Sequence, residues 1–289
     1  VNPVTAYVLT REVLRVPRGG WLLVTAAGSA LGKSVIRLGK HTAERLVMLV
    51  VKDLNAISAT ARQRISDAPS PLSTSLLIGE NPLITDLSYV TSVVCLKGNP
   101  FHFEEVNGVR YKIHPNSFFQ TNTKQGERLY QITRDFAELT GTQTVYDLYC
   151  GTGSIGIFVS NQAKKIIGVE AVPEAIEDAK KNAALNNIQH ATFFAGDVIK
   201  VCDDAFFAEH GTADVVITDP PRAGMHEKLV NKLLEIAAPT IVYVSCNPAT
   251  QARDLALLNE KYVVTKIQPV DMFPHTHHIE NVVQLKLRS

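Results

Sequence analysis

Apolar positions along this chain recur in two rhythms. In the first, short apolar runs stand close together: residues 46–51, 90–96 and 109–113 read as strands separated by polar loop or helical stretches. Asn107-Gly108 joins residues 101–106 to 109–113, and Asn-Gly supplies the positive φ angles of a type I′ turn, so a hairpin is expected there. From Ser117 the rhythm lengthens to strand, helix, strand. Strands are expected over residues 144–148, 165–169, 192–195, 215–218, 240–244, 263–270 and 282–287, with helices over 123–139, 173–185 and 225–237. Alternation of this kind specifies an α/β fold whose mostly parallel sheet is covered on both faces. Ahead of both rhythms, residues 2–40 read as helix, then a strand over 20–27, a glycine turn over 28–32 and a helix from Lys33. Three regions are therefore expected: a β–α segment over 1–40, a small central α/β subdomain over 41–116, and a larger α/β domain over 117–289.

Composition narrows the picture. With 289 residues, 45% hydrophobic and 20% charged, the chain is neither disordered nor fibrous and is long enough for more than one unit. The net charge of +1 announces no nucleic-acid partner, so any basic patch must be local. Cys95, Cys150, Cys202 and Cys246 lack the close spacing of a zinc or iron–sulfur site, and no metal is expected. No apolar run approaches the roughly 18 residues of a membrane span and nothing reads as a signal peptide, so a cytoplasmic protein with reduced thiols and no membrane partner is expected.

The chemistry gathers in the longer rhythm. Residues 144–156 are a strand running into a glycine turn, Asp147-Leu-Tyr-Cys-Gly-Thr-Gly-Ser-Ile-Gly156. Gly151, Gly153 and Gly156 satisfy a dinucleotide fingerprint, with Glu170 downstream to meet a ribose diol. Asp147 separates the two readings of that turn. A carboxylate four residues before the first glycine repels a pyrophosphate but suits the cationic end of S-adenosylmethionine, whose nucleoside still needs Glu170. Asp197, after the third strand, could accept from an adenine amino group. Asp219-Pro-Pro-Arg222 then ends an apolar strand where open α/β sheets bind ligands. It reads either as a rigid capped turn or, beside the methyl-donor turn, as the Asn/Asp-Pro-Pro segment that amino-methyltransferases use.

Cys246 ends a buried strand just before a helix expected from Pro248, whose positive end should favour a thiolate. It could be a buried small hydrophobe. Beside a methyl donor it has a specific use: a thiolate added to C6 of uracil makes C5 nucleophilic. The adduct needs a base to take the C5 proton, and Glu280 is the candidate.

Together SFFQTN (117–122), DLYCGTGSIG (147–156), GVE (168–170), DPPRAG (219–224), SCNPATQARDL (245–255) and MFPHTHHIENV (272–282) resemble, in order, the bacterial RNA uracil-C5 methyltransferases that make 5-methyluridine in 23S rRNA and tRNA. The resemblance covers about residues 35–289. It implies a class I S-adenosylmethionine-dependent methyltransferase fold, an RNA substrate with rRNA favoured over tRNA, Cys246 as nucleophile and Glu280 as base. It also implies a cofactor site lined by Gln120, Tyr149, Gly151, Gly153, Ser154, Glu170, Asp197 and Asp219. Gln120 and Asp219 would also border the target base. Phe119 would either stack on that base or belong to the core, and Arg222 and Arg253 would either meet phosphate or stay solvated. His275, His277 and His278 are read as loop structure beside the base. The order of motifs removes the amino-methyltransferase reading, which needs neither SCNP nor the terminal acid.

Two features depart from that family. Its members usually open with an RNA-binding β-barrel, and many carry an N-terminal cluster of iron–sulfur cysteines; neither pattern stands in these residues, and weaker RNA binding is the expectation. Residues 1–40 instead resemble the nucleotide-binding start of a medium-chain enoyl or quinone reductase. With no second dinucleotide half following, that segment is read as a structural piece. An NADPH-dependent reductase and a non-catalytic RNA-binding protein stand as the rival functions.

Overall fold

The longer rhythm closes into a seven-stranded sheet because its strands are apolar on both faces and need a helix over each. The structure, a computed structural model, describes residues 21–25, 33–38, 45–51, 53–67, 74–82, 90–273, 276 and 279–288. The chain divides into two units, residues 1–123 and 124–289.

In the first unit, strands β1 (Trp21–Thr25), β2 (Lys33–Leu38), β3 (Arg45–Val51), β4 (Ser75–Glu80) and β5 (Ser92–Lys97) form one sheet in sequence order. All neighbours are antiparallel except β3 and β4. The helix expected from Lys33 is strand β2. Val35 and Ile36 are β-branched, and the segment finds backbone partners in both β1 and β3, which a six-residue helix would lack. Residues 21–25 and 33–38 therefore make a strand pair and not the strand and helix of a reductase's β–turn–α start. The helix expected ahead of them and the turn over 28–32 lie outside the described residues. Period-two burial puts Leu46, Met48 and Val50 in one core cluster with Leu77, while Val51 and Ile78 pack on the other side with Leu54. Helix α1 (Ala59–Asp67) bridges β3 and β4.

Strands β6 (His102–Val106) and β7 (Val109–Ile113) form the expected hairpin. Asn107 and Gly108 both have positive φ, 49° and 83°, as a type I′ turn requires.

In the second unit, β8 (Thr144–Leu148), β9 (Lys165–Glu170), β10 (Ala191–Ala195), β11 (Val215–Thr218), β12 (Thr240–Ser245), β13 (Tyr262–Val270) and β14 (Glu280–Leu287) stand in the order β10-β9-β8-β11-β12-β14-β13. The first five pair in parallel, and β14 is antiparallel to both neighbours. Strand β13 ends at Val270 and β14 begins at Glu280, and so short a link can only return the chain antiparallel. Helices α2 (Thr123–Ala137), α3 (Ser154–Val159), α4 (Pro173–Leu185), α5 (Val198–Val201), α6 (Asp204–His210), α7 (Glu227–Ile236) and α8 (Pro248–Leu258) complete the unit. Strands β11 and β12 are buried at every position, so each must be covered on both faces. Leu229, Val230, Leu233 and Leu234 give α7 the apolar stripe that covers one of them, packed with Tyr146, Val216 and Tyr243. After α2, Glu138 pairs with Lys266 of β13 and, at 2.6 Å, with Lys286 of β14, so the helix end is tied to the sheet. Among the described residues no helix is long and apolar enough to cross a membrane.

Candidate active site

Parallel register lines up the carboxyl ends of the strands, and the chemistry follows from that alignment. Leu148 stands opposite both Val169 and Thr218, Thr218 opposite Tyr243, and Ala195 opposite Glu170. The next residues, Tyr149, Glu170 and Asp219, therefore form a row along one edge. The Asp219 N–H donates to the Leu148 carbonyl at 3.3 Å, which fixes its backbone beside Tyr149. Strand β14 begins at this same edge because it runs the other way. Ser245 pairs with Asn281 as the last pair of the β12–β14 ladder; Cys246 follows Ser245 and Glu280 precedes Asn281, so both lie at the same end of the two strands.

At the glycine turn, Asp147 Oδ2 accepts the Gly156 N–H at 2.8 Å. A Cβ on Gly156 would stand 2.8 Å from that oxygen, so α3 packs this close to β8 only with glycine there. Asp147 Oδ1 and Thr152 Oγ1 are buried with no hydrogen-bond partner. Buried polar atoms are almost always satisfied, and two orphans beside one turn mark a place for a polar ligand. Burial pushes the Asp147 carboxyl up to about 7; the Gly156 N–H draws it down and nearby Glu170 raises it further. Glu170 is pinned by two backbone donors, Gly151 N–H at 3.2 Å and Val172 N–H at 3.0 Å.

Tyr149, half-buried and at φ 60°, has its hydroxyl pushed to about 12 by burial, with Asp197 adding to the effect. Gly153, at φ 75°, is the N-cap of α3, and Ser154 opens the helix. Asp197 is exposed and caps α5, accepting from the Ile199 N–H at 3.0 Å.

Around Cys246 the charges compete. Burial, then Glu280 and Asp219, push its thiol above the ordinary range, while a hydrogen bond from Arg222 and the charge of that guanidinium work the other way. The thiolate favoured by the helix N-terminus is thus opposed chiefly by burial, with Glu280 and Asp219 adding to it. Glu280 itself is raised to about 7 by burial, with Arg222 opposing. The Asp219 carboxyl is driven well above its usual range by burial, with Glu280 and Asp147 adding to it. Cys246, Glu280, Asp219 and Asp147 thus act on one another or on their neighbours in the group, and burial raises all three carboxyls above their usual range.

Several functional positions escaped the sequence. Tyr130, on α2, is buried; its hydroxyl is hydrogen-bonded to the Ser154 side chain, and Asp219, Asp147 and Glu280 all raise its pKa. In the sequence it reads as one more apolar position of an amphipathic helix. Gln251 and Asn281 form a reciprocal pair: Asn281 Nδ2 donates to Gln251 Oε1 at 2.7 Å, and Gln251 Nε2 donates to the carbonyls of Tyr243 at 2.9 Å and Asn281 at 3.2 Å. This ties the helix after Cys246 to the strand that starts with Glu280, a relation only folding creates.

Arg253, its side chain more than half exposed, is already engaged within the chain. Its guanidinium grips Asp254 through Nε at 2.9 Å and Nη2 at 2.7 Å, and Nη2 also donates to the carbonyls of Ala223 and Met225. Asp254 further accepts from the Met225 N–H and the Tyr243 hydroxyl, so this pair holds the loop after Asp219-Pro-Pro. The side chain of Arg222 remains at the site, while its carbonyl accepts from Asn247 and Thr250.

Phe119 and Gln120 belong to the first unit, and both are buried. Phe119 packs at 5.2 Å against Tyr111, which is the core alternative; its neighbour Phe118 is the ring in solvent, 73% exposed. His275, His277 and His278 lie outside the described residues. Among the described residues no cluster of His, Cys, Asp or Glu has the makings of a metal site.

Comparison with known proteins agrees with this geometry. A family model described as tRNA (uracil-5-)-methyltransferase matches residues 83–288. The chain is similar, at 56% identity over 218 residues, to a protein of Bacteroides thetaiotaomicron described as an uncharacterized RNA methyltransferase; the match takes in 72% of this chain and 48% of that protein. A Clostridium tetani protein of the same description is 41% identical over 270 residues, covering 92% of this chain and 58% of its own length. The chain spans about half the length of the curated relatives it matches. Among solved structures, the Pyrococcus abyssi tRNA (uracil-54, C5)-methyltransferase in complex with S-adenosyl-L-homocysteine aligns over 98% of this chain and 65% of its own, with TM-score 0.75 and 32% identity. The Methanocaldococcus jannaschii tRNA m1G37 methyltransferase, at 19% identity and TM-score 0.56, shares the fold alone. The fold is that of the S-adenosylmethionine-dependent methyltransferases.

Proposed function

We propose, from the premise that this chain belongs to the tRNA (uracil-5-)-methyltransferase family, that it methylates C5 of a uridine in RNA, using S-adenosylmethionine and a transient bond between Cys246 and C6. The observation that carries the reading is that Cys246 and Glu280 come together at one end of the β12–β14 pair, where Glu280 raises the Cys246 thiol and Arg222 opposes the shift of each. A cysteine and a base so placed have no task in methylating an exocyclic amine. Uracil C5, a poor nucleophile, needs both.

The residues at the glycine turn suit the methyl donor. Asp147 Oδ1 and Thr152 Oγ1, buried and unsatisfied, offer acceptors to its cationic end, and Glu170 stands where a ribose diol would be met. S-adenosylmethionine, when bound, supplies an electrophilic methyl group. Arg222 draws the Cys246 thiol toward its ionised form, and the thiolate adds to C6 of the uracil. The ring then carries an enolate whose C5 is nucleophilic. Once C5 is methylated, Glu280 takes the remaining C5 proton, the electron pair re-forms the C5–C6 double bond, and the bond from C6 to Cys246 breaks. A base with a pKa near 7 is well matched to that proton transfer.

The reading extends to RNA uridines as a class. The 23S rRNA expectation stands beside tRNA, which the Pyrococcus abyssi neighbour favours by its described substrate. Incubation with labelled S-adenosylmethionine and separate pools of unmodified 23S rRNA and tRNA, followed by nucleoside analysis, separates them. Label in 5-methyluridine from one pool is the expected result. Cys246→Ala should lose all label and still bind the donor; methylation retained in that variant would refute the covalent route.

A further inference from the structure

The chain's net charge of +1 conceals a local basic face on the β6–β7 hairpin of the first unit. Register puts Phe103 opposite Lys112 and Glu105 opposite Arg110, and one step beyond His102↔Ile113 stand Phe101 and His114. These six side chains share one face, while Val106, Tyr111 and Ile113 are buried on the other. On the outer face the cations lean diagonally over the rings. Lys112 Nζ stands 3.8 Å from the Phe101 centroid, and the Arg110 guanidinium 4.2 Å from that of Phe103. Phe101 meets Phe103 edge-on at 5.5 Å and His114 at 5.7 Å. Arg110 is exposed, and Phe101, Phe103, Lys112 and His114 are half-buried.

We propose that this hairpin face is a contact surface for an unpaired stretch of RNA, distinct from the residues that carry out the chemistry. The proposal rests on the reading that RNA is the substrate. Three features commit it to RNA. Rings and cations alternate, as on surfaces where bases stack and phosphates are neutralised together. The charges of Arg110 and Lys112 outweigh the single Glu105. Cation–ring stacking also holds the long Lys and Arg side chains upright before any ligand arrives, which lowers the entropy lost on binding. The rigid type I′ turn at Asn107-Gly108 fixes both strands and hence the spacing of the face.

The test measures binding of a fluorescein-labelled single-stranded RNA 20-mer to the full chain by anisotropy, between about 50 and 200 mM salt, the range over which phosphate contacts show. Removing both cations with R110A/K112A should weaken binding and lower the slope of log affinity against log salt by about 1.4, at roughly 0.7 for each lost phosphate contact on a single strand. The charge-conserving pair R110K/K112R should keep the slope. Removing both rings with F101A/F103A should weaken binding roughly tenfold with the slope unchanged, because stacking is not salt-dependent. Thermal melts of each variant run alongside. Unchanged RNA affinity and slope in R110A/K112A, with a lowered melting temperature, would make the ladder a structural brace and overturn the proposal while leaving the methylation reading intact. If the unaltered chain binds no RNA and transfers no methyl group, the methylation reading falls and this proposal with it.

Discussion

The pKa of Glu280 makes a quantitative demand on the pH dependence of turnover. The carboxyl is raised from 4.5 to about 7 by burial, with Arg222 alone opposing. As the base that removes the C5 proton it must be ionised. With a pKa of about 7 it is roughly 10% ionised at pH 6 and roughly 90% at pH 8, so adduct decay should accelerate about ninefold between them. An ordinary glutamate at 4.5 would be almost fully ionised at both, and the rate would change by under about a tenth. Arg222 supplies an internal control. Arg222→Ala removes the one group that lowers Glu280, so the rise should move to higher pH. The thiol of Cys246 loses the same support and adds more slowly. Pre-formed adduct, isolated by rapid mixing and followed by denaturing gel after pH jumps, separates decay from addition. Glu280→Gln should hold the adduct indefinitely. A decay rate flat from pH 6 to pH 8, or an Arg222→Ala profile with an unmoved midpoint, would refute the assignment of Glu280 as the base.

Three further outcomes are expected. Gly156→Ala would set a Cβ 2.8 Å from Asp147 Oδ2 and 3.1 Å from Ile166 Cγ2, so it should destabilise the fold by about 1–3 kcal/mol; an unchanged urea midpoint would contradict the close approach of α3 to β8. Arg253→Gln, which removes the charge, cannot reproduce the paired grip on Asp254 and two carbonyls, and should lower stability by about 1 kcal/mol while leaving the salt dependence of RNA binding unchanged; a reduced salt slope would make Arg253 a phosphate contact. Asp147, raised to about 7, holds a proton in the folded chain that the unfolded chain releases near its ordinary value of 3.8. Its contribution to stability is therefore present at low pH and is lost as pH rises to about 7. Asp147→Asn should melt higher than the parent at pH 8 but not at pH 4, and should bind S-adenosylmethionine more weakly; calorimetry that finds equal pH dependence in both proteins would remove Asp147 from this role.

Local signals carried much of this molecule. Period and run length located β8 through β14, because each buried strand is a short apolar run set off by polar helix. Asn107-Gly108 specified its turn through its own backbone preferences. Asp147, Gly156 and Glu170 were legible because their spacing along the chain is itself the geometry of a strand, a tight turn and the next strand. Lys33–Leu38 was misread as helix because the partners that make it a strand lie in β1 and β3, outside any local window.

What the sequence could not decide is everything that depends on two distant segments meeting. It named Cys246 and Glu280 as chemistry, but only the antiparallel insertion of β14 beside β12 brings them to the same sheet edge. It offered Arg253 as a phosphate contact or a solvated charge, while the folded chain engages its guanidinium with Asp254 and the carbonyls of Ala223 and Met225. It showed Tyr130 as an apolar stripe position, while tertiary packing brings its hydroxyl to Ser154 among three acids. Element type follows from neighbours along the chain, whereas the protonation state of each group follows from burial and from charges brought close by folding, and those are properties of the assembled sheet edge.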